Sequence, residues 1–424
     1  MEPLIRFFVN VGRLKTIQRP GWLLRGVKNP ETVADHAFRV VVLAWIFGKE
    51  KKLNVKRLLK LALVHSLSAA YINYISPYAQ LLNIKNKKEL LKKYPAFVLQ
   101  APVREKGKIV SKRFVEEKRA VEKLIKDLPE AIRQEIFSLW LDFQQKTSKE
   151  AKFLKALDRL ENLIQALEYR DQIPKECLAL FLSQIGLVTD DKRILNFAKS
   201  VEQFLNKGEK SVNNRQDRNL IKFILEVGKL KSIPRKGWVI RGVKNPESVA
   251  SHSFSAALTA WVFAVRRRLD QEVVIMMAII HNLFVAEIGD HTPHDVFLEK
   301  LKDVDRVIET FPWIGLKQEK EVIMKAALEK ESNAVDKIFK CLPSQQRREL
   351  KYLWLEFRTG TSKEGRFARQ ADRVETVLQA MEYHKQDKSV SPTSFWLGLK
   401  ELVDDPILLE FIENLDRYYY KPRS

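Results

Sequence analysis

The sequence predicts an all-α protein built as two tandem helical bundles, and three observations carry that prediction. The first is an internal repeat. FFVNVGRLKTIQRPGWLLRGVKNPETVADHAF, beginning at Phe7, aligns without a gap with FILEVGKLKSIPRKGWVIRGVKNPESVASHSF, beginning at Phe223. Further on, LWLDFQQKTSKEAKFLKALDRLENLIQALEYR aligns with LWLEFRTGTSKEGRFARQADRVETVLQAMEYH. His252 follows His36, and His281 follows His65, by the same 216 positions; Asp372 follows Asp158 by 214, so the second copy is shorter in between. The second observation is apolar spacing. Val33, Ala37, Val40, Val41 and Ala44 recur at helical intervals, and no stretch sustains the period-two alternation of a half-buried strand. The third is punctuation. Asn29-Pro30-Glu31 and Asn245-Pro246-Glu247 each read as an N-cap, a first-turn proline and a first-turn acid. Asn54 and Asp270 read as caps of the following helices, and Pro77 and Pro293 as their ends.

In chain order, residues 1–205 read as the first bundle, the polar, glycine-containing stretch 206–216 as a linker, and 217–424 as the second bundle. The length of 424 residues suits two domains that each bury a core. Cys177 and Cys341 offer neither a disulfide framework nor a paired metal motif, which points to a reducing, cytoplasmic setting. The N-terminus lacks an apolar leader, and no apolar run is expected to reach the ~18 residues of a membrane span. Lys and Arg number 75 against 53 Asp and Glu, a formal charge of +22. That balance draws nucleotides, nucleic acid and other polyanions alike. Much of it alternates with Glu on predicted helices, where a solvated face is the plain reading.

Four of the seven histidines occupy the repeated positions. His36 and His65 sit on successive predicted helices, and Asp158 sits among apolar neighbours on a later one. His252, His281 and Asp372 repeat that set. Neutral imidazoles suit divalent transition metals, and an aspartate in an apolar setting needs a partner or a metal to justify its burial. Two histidines and an aspartate in register, twice, predict a metal site or the remains of one.

These stretches resemble the HD-domain superfamily of metal-dependent phosphohydrolases, in the branch of the 5'-deoxynucleotidases. The resemblance covers most of both copies: LK…PR.GW..RGV.NPE.VA.H.F, then a helix and turn patterned H-D…E…GD.TP, then D.(L/V)E…QA.EY. It implies tandem HD-type helical bundles. It further implies a divalent metal (Mn, Co, Zn or Mg) held by His36, His65 and Asp158 in one copy, and by His252, His281, Asn282 and Asp372 in the other. Asp290, in the retained GD turn, takes the catalytic role at the water and phosphate. Arg235, Trp238 and Arg241, matched by Arg19, Trp22 and Arg25, take the role of nucleotide binding.

Both copies depart from the family pattern. Ser66 replaces the aspartate after His65, Ala69 replaces the expected glutamate, and Asn73-Tyr74 replaces the GD turn. In the second copy Asn282 and Val285 stand where Asp and Glu are expected, and Glu287 comes two positions too late to substitute. The expected function is hydrolysis of deoxynucleoside 5'-monophosphates, with the C-terminal copy the better retained, the N-terminal site degenerate and the metal weakly bound. The alternatives are an inactive HD pseudoenzyme that binds nucleotide or metal, and a basic polyanion-binding scaffold. No membrane partner is expected. The duplicated chain is expected to be a monomer acting as a pseudo-dimer, or a homo-oligomer.

Overall fold

The computed structural model describes residues 1–72, 103–174, 176–291 and 317–420. Asn73, Tyr74, Pro77 and Pro293 lie outside them. Among the described residues every regular element is helical, and the β-type pairings are two isolated bridges, Gln18 with Thr32 and Pro234 with Ser248. The first repeat contributes α1 (Glu2–Gly12), α2 (Pro20–Leu24), α3 (Val33–Glu50), α4 (Val55–Val64) and α5 (Val103–Ile125). It continues with α6 (Glu130–Gln145), α7 (Lys149–Glu168), α8 (Glu176–Gly186) and α9 (Lys192–Lys207). The second contributes α10 (Arg215–Lys229), α11 (Lys236–Val239), α12 (Val249–Ala264), α13 (Gln271–Ile280) and α14 (Val285–Ile288). It ends with α15 (Lys317–Phe339), α16 (Ser344–Thr359), α17 (Lys363–Gln386), α18 (Thr393–Leu402) and α19 (Pro406–Tyr420).

Packing divides the chain into two compact units: Arg13–Ile221, and Met1–Gly12 together with Lys222–Ser424. Helix α1 thus belongs to the unit of the second repeat, where the Phe8 ring lies 5.6 Å from Phe263 and 5.9 Å from Phe411. Its repeat counterpart, α10, is divided. Asp217 near its start is bonded to Ser200 at 2.9 Å and Arg193 at 2.8 Å in the first unit, while Phe223 packs on Phe339 in the second. The repeat as written and the unit as packed differ by this first helix.

At the centre of each unit is a helix buried on nearly all sides. Every residue of α12 is buried, and α3 exposes only its last turn. A helix buried all round carries no amphipathic stripe and packs on several neighbours at once; α3 meets α4 and α7, and α12 meets α13 and α17. The caps differ from the expectation. Thr32, not Asn29, caps α3: its hydroxyl accepts from Asp35 N at 3.1 Å, and Asp35 accepts from Thr32 N at 2.9 Å. Ser248, not Asn245, caps α12. The cause is the extended backbone ahead of each helix, which Arg19 N–Glu31 O (3.1 Å) and Arg235 N–Glu247 O (2.9 Å) tie to the preceding loop. Asn54 and Asp270 cap α4 and α13 as expected.

One further expectation is corrected. Gln271–Ile288, with a mean hydropathy of 1.5, is long and apolar enough to cross a membrane by length and composition. It consists of α13 and α14 separated by a turn, and 61% of it is buried inside the fold, as a core segment of a packed bundle is.

Candidate metal centres

In the unit of the first repeat, α3 supplies His36, the C-cap of α4 supplies His65, and α7 supplies Asp158. His65 Nδ1 donates to the carbonyl of Ala62 at 2.7 Å, and His36 Nδ1 is bonded to Glu161. A carbonyl only accepts, so His65 carries its proton on Nδ1 and a lone pair on Nε2. The two Nε2 atoms lie 3.4 Å apart, and His36 Nε2 lies 3.2 Å from Asp158 Oδ1. Burial pushes His65 down to about 4, with the neighbouring His36 acting the same way. Burial would raise Asp158, but Lys155 and His36 outweigh it and hold its carboxyl well below the usual range.

The unit of the second repeat builds the same centre. His281 Nδ1 donates to Ala278 O at 2.6 Å, and His252 Nδ1 is bonded to Glu375 at 2.7 Å. Asp372 Oδ1 lies 2.9 Å from His252 Nε2 and 3.4 Å from His281 Nε2. Burial lowers His281. Burial and Arg235 act to lower His252, but Glu375 and Asp372 outweigh them and raise it. Burial would raise Asp372; the two imidazoles outweigh it and hold the carboxyl well below its usual range. His252 Nε2 and Asp372 Oδ1 are both buried without a hydrogen-bond partner among the described residues. An imidazole fixed from behind by Glu375 and a carboxylate oxygen 2.9 Å from its Nε2 are donors of the kind that hold a divalent cation. The residues fit a metal. In each unit the three ligand atoms lie within 4.8 Å of one another.

The centre has one competing contact. Asn282 Nδ2 donates to His281 Nε2 at 2.7 Å, so the amide covers the lone pair a metal would use. Rotation of that amide exchanges its donor for a neutral oxygen ligand. In the first unit Ser66 is too short to do either.

Behind each centre is a wall of similar composition. Glu31 Oε1 accepts from Trp22 Nε1 at 3.0 Å and Arg19 Nη1 at 2.7 Å, and Glu247 accepts from Trp238 Nε1 at 2.9 Å. Trp238 is 1% exposed, its ring packed on Tyr383 and Phe395, so neither face is open to a base; Trp22 is buried likewise between Tyr169 and Phe181. Arg241 folds back onto Gly237 O and Ser394 Oγ over the Phe395 ring, and burial lowers its pKa to about 10. Arg25 repeats the fold-back onto Gly21 O. Arg235, also expected to bind nucleotide, is half-buried. It faces Asp290 at 3.9 Å, and that carboxylate also accepts from Lys236 N at 2.7 Å. Glu287 is engaged with Lys337 at 2.8 Å, and His291 is exposed on Ile288 O.

Several contributors were not legible as site residues. Glu31 and Glu247 read as first-turn acids, yet each is a buried acceptor for a tryptophan. Tyr169 and Tyr383 accept from the backbone N–H of those glutamates at 2.8 Å in both units. Arg39, fully buried, bonds Glu161 at 3.1 Å, Gln165 at 2.8 Å and Glu168 at 2.8 Å. The signal for Arg39 was an arginine between Phe38 and Val40, opposite Ser255 in the repeat.

A fold of two all-helical units, each with a buried His-His-Asp set at equivalent positions, defines a tandem member of one class: the HD domain family model matches residues 11–195 and 227–398, and the chain belongs to that family. HD domains are metal-dependent, in keeping with the two ligand sets. Among curated proteins the chain is similar to 5'-deoxynucleotidase HDDC2 of Mus musculus, 33% identical over 168 residues, covering 40% of this chain and 70% of that protein. The HDDC2 of Homo sapiens is also 33% identical over 168 residues, covering 40% of this chain and 69% of that protein. The 5'-deoxynucleotidase YGK1 of Saccharomyces cerevisiae is 26% identical over 187 residues, covering 44% and 76%.

Proposed function

We propose that the unit of the second repeat is the working site of a divalent-metal-dependent phosphohydrolase acting on deoxynucleoside 5'-monophosphates, and that the first repeat's site no longer turns over. One observation carries the reading: His252 Nε2, His281 Nε2 and Asp372 Oδ1 converge with both imidazoles anchored from behind. His252, His281 and Asp372 would hold the cation, with the Asn282 oxygen as a fourth ligand. When bound, it supplies Lewis-acid polarisation of a phosphoryl oxygen. Asp290 holds the start of α11 through Lys236 N and faces Arg235. Arg235 then presents its fork to the phosphate, which a guanidinium binds bidentately. Trp238 and Arg241 act by position: one holds Glu247 and the other fastens α11 to α18. The same reading makes residues 1–205 and 217–424 the duplicated domains, joined by 206–216, of a cytoplasmic chain that is its own pseudo-dimer.

The test is phosphate release from a panel of deoxynucleoside monophosphates with Mn, Co, Zn or Mg. Release that vanishes in His281→Ala supports the reading. Silence from the wild type together with release from Asn282→Asp replaces it with the pseudoenzyme reading, which the Asn282–His281 contact favours. Binding of polyanions that falls steeply with salt and ignores metal would favour the scaffold reading instead.

A further inference from the structure

We propose that Arg369, one helical turn ahead of Asp372, is a phosphate-binding side chain of the second repeat's site, specific for the dianion of a phosphate monoester. The inference rests on the functional reading above and adds a residue that the sequence patterns did not single out.

The repeat locates the position. Its counterpart is Lys155, whose ammonium lies 3.6 Å from Asp158 Oδ2 and 4.4 Å from the centroid of the Phe143 ring. Phe143 in turn packs on His65 at 5.3 Å. A cation at this turn of α7 therefore stands at the rim of the histidine pair. In the second repeat Phe357 packs on His281 at 4.8 Å, and Arg369 occupies the equivalent turn of α17. The loop after α16 closes over it. A Cβ at Gly360, which has φ +67°, would lie 2.7 Å from Arg369 Nη1. The backbone thus approaches the guanidinium as closely as a glycine permits.

The surroundings differ from those of Lys155 by an added cation, Arg358, where the first repeat has Gln144. Arg358 and Arg373 both act on Arg369, and Asp372 is the opposing charge. Burial, followed by those two arginines, holds its pKa below the ordinary arginine value. Arg358 is itself paired with Glu331 at 2.6 Å. Among the described residues Arg369 has no hydrogen-bonded or ion-paired acceptor. A half-buried guanidinium crowded by like charge and lacking an acceptor is a poor device for stability. It is a good receptor for an anion, because a doubly charged phosphate relieves the crowding and accepts two parallel N–H bonds from the planar fork. With Arg235 on the α11 side, the phosphate would be held by arginines from two different elements.

The experiment is equilibrium dialysis of the full chain against inorganic phosphate and deoxyadenosine 5'-monophosphate, with Mn(II) present, for the wild type, Arg369→Gln, Arg369→Lys and the exposed control Arg366→Gln. Arg369→Gln should weaken both ligands about 10- to 100-fold, the range for a lost charged hydrogen-bond donor. Arg369→Lys should fall between it and the wild type, since it keeps the charge without the fork. Arg366→Gln and the Mn(II) stoichiometry should not change. Phosphate binding by Arg369→Gln within about twofold of wild type, well inside that range, would overturn the proposal; so would a wild type that binds no phosphate. Should Arg369→Gln lose its cooperative melt, Arg369→Lys decides: affinity equal to wild type overturns the proposal. Arg369-dependent binding without phosphate release would sink the hydrolase reading and leave this one. Release indifferent to Arg369 would do the reverse.

Discussion

The two centres share a His-His-Asp set and differ in what surrounds it. In the unit of the first repeat the fork of Arg19 is occupied by Glu31 and Asn162, at 2.7 and 2.8 Å. Arg39 fills the space behind, and Lys155 neutralises Asp158. In the other unit Thr376 stands where Asn162 was and Ser255 where Arg39 was, and Arg235 turns to Asp290 instead. The histidines are tied from behind to a carbonyl and a carboxylate in both units, interactions the fold uses with or without turnover. The positions that changed, 66 and 69 in one repeat and 282 and 285 in the other, lie on the turn after the second histidine. Ala69 and Val285 are now plain core residues, 2% and 0% exposed. Both units thus keep the groups that the fold holds and depart from the family pattern at that turn.

The largest effect expected from breaking this contrast is on stability. Arg39→Met should destabilise the first unit by about 3–5 kcal/mol, because Glu161 and Glu168 lose their buried counter-ion. Urea unfolding should show one transition moving while phosphate release by the other unit stays unchanged. A shift below about 1 kcal/mol would mean that the glutamates take up protons at little cost, and that Arg39 does not distinguish the two centres energetically.

Next in size is the functional contrast. His281→Ala should lower phosphate release at least about 100-fold, since even groups behind the ligands are worth 10- to 100-fold. His65→Ala should leave release untouched. Asn282→Asp should tighten metal binding about 10- to 100-fold by exchanging an amide donor on His281 for a charged ligand. Equal loss in the two histidine variants would show that the first centre still works.

A smaller contrast lies in acid stability. Asp142 accepts from Thr147 Oγ1 at 2.5 Å, Ser148 N at 2.9 Å and Ser148 Oγ at 2.7 Å, and pairs with Arg57. Against the effect of burial, those bonds hold its carboxyl well below the usual range. A carboxylate with a depressed folded-state pKa contributes stability that is complete above its unfolded value, about 3.9, and is lost as pH falls toward the folded one. Asp142→Asn should therefore flatten the decline of the first unit's melting temperature below about pH 4 and lower its stability at neutral pH. Its counterpart Glu356 makes a similar cap to Ser362 N at 2.8 Å but is solvated, and Glu356→Gln should change the acid limb less.

The all-helical architecture, the repeat and the paired His-His-Asp sets were legible because each rests on local spacing or on identity between copies. What could not be read is tertiary. Asn29 and Asn245 have the chemistry of N-caps, but extended backbone bonded to residues 17–19 and 233–235 moved each cap onward to Thr32 and Ser248. The 18-residue apolar window was hidden by its two site residues, His281 and Asn282, which break it into two helices. Trp22 and Trp238 were legible as aromatic and important. That neither face is open depends on Phe181 and Phe395, which lie far away in sequence. The partition of α1 into the unit of the second repeat could not come from the alignment, since Phe8 and its apolar neighbours would suit either core equally.

The smallest expected effect is the sharpest probe of the difference, because it asks whether Ser255 is a neutral replacement for Arg39 or part of a polar site. Ser255 is 8% exposed, and its hydroxyl is buried with no hydrogen-bond partner among the described residues. A buried hydroxyl without a partner is destabilising, so Ser255→Ala should leave the unit unchanged or stabilise it by about 1 kcal/mol. Its midpoint in urea would rise slightly, with an unchanged slope. A loss of more than about 1 kcal/mol would mean that the hydroxyl is bonded to ordered water or a ligand in solution. The second centre would then have exchanged an arginine-filled wall for a hydrated one. That exchange would itself explain why Arg235 faces Asp290 where Arg19 is bonded to Glu31.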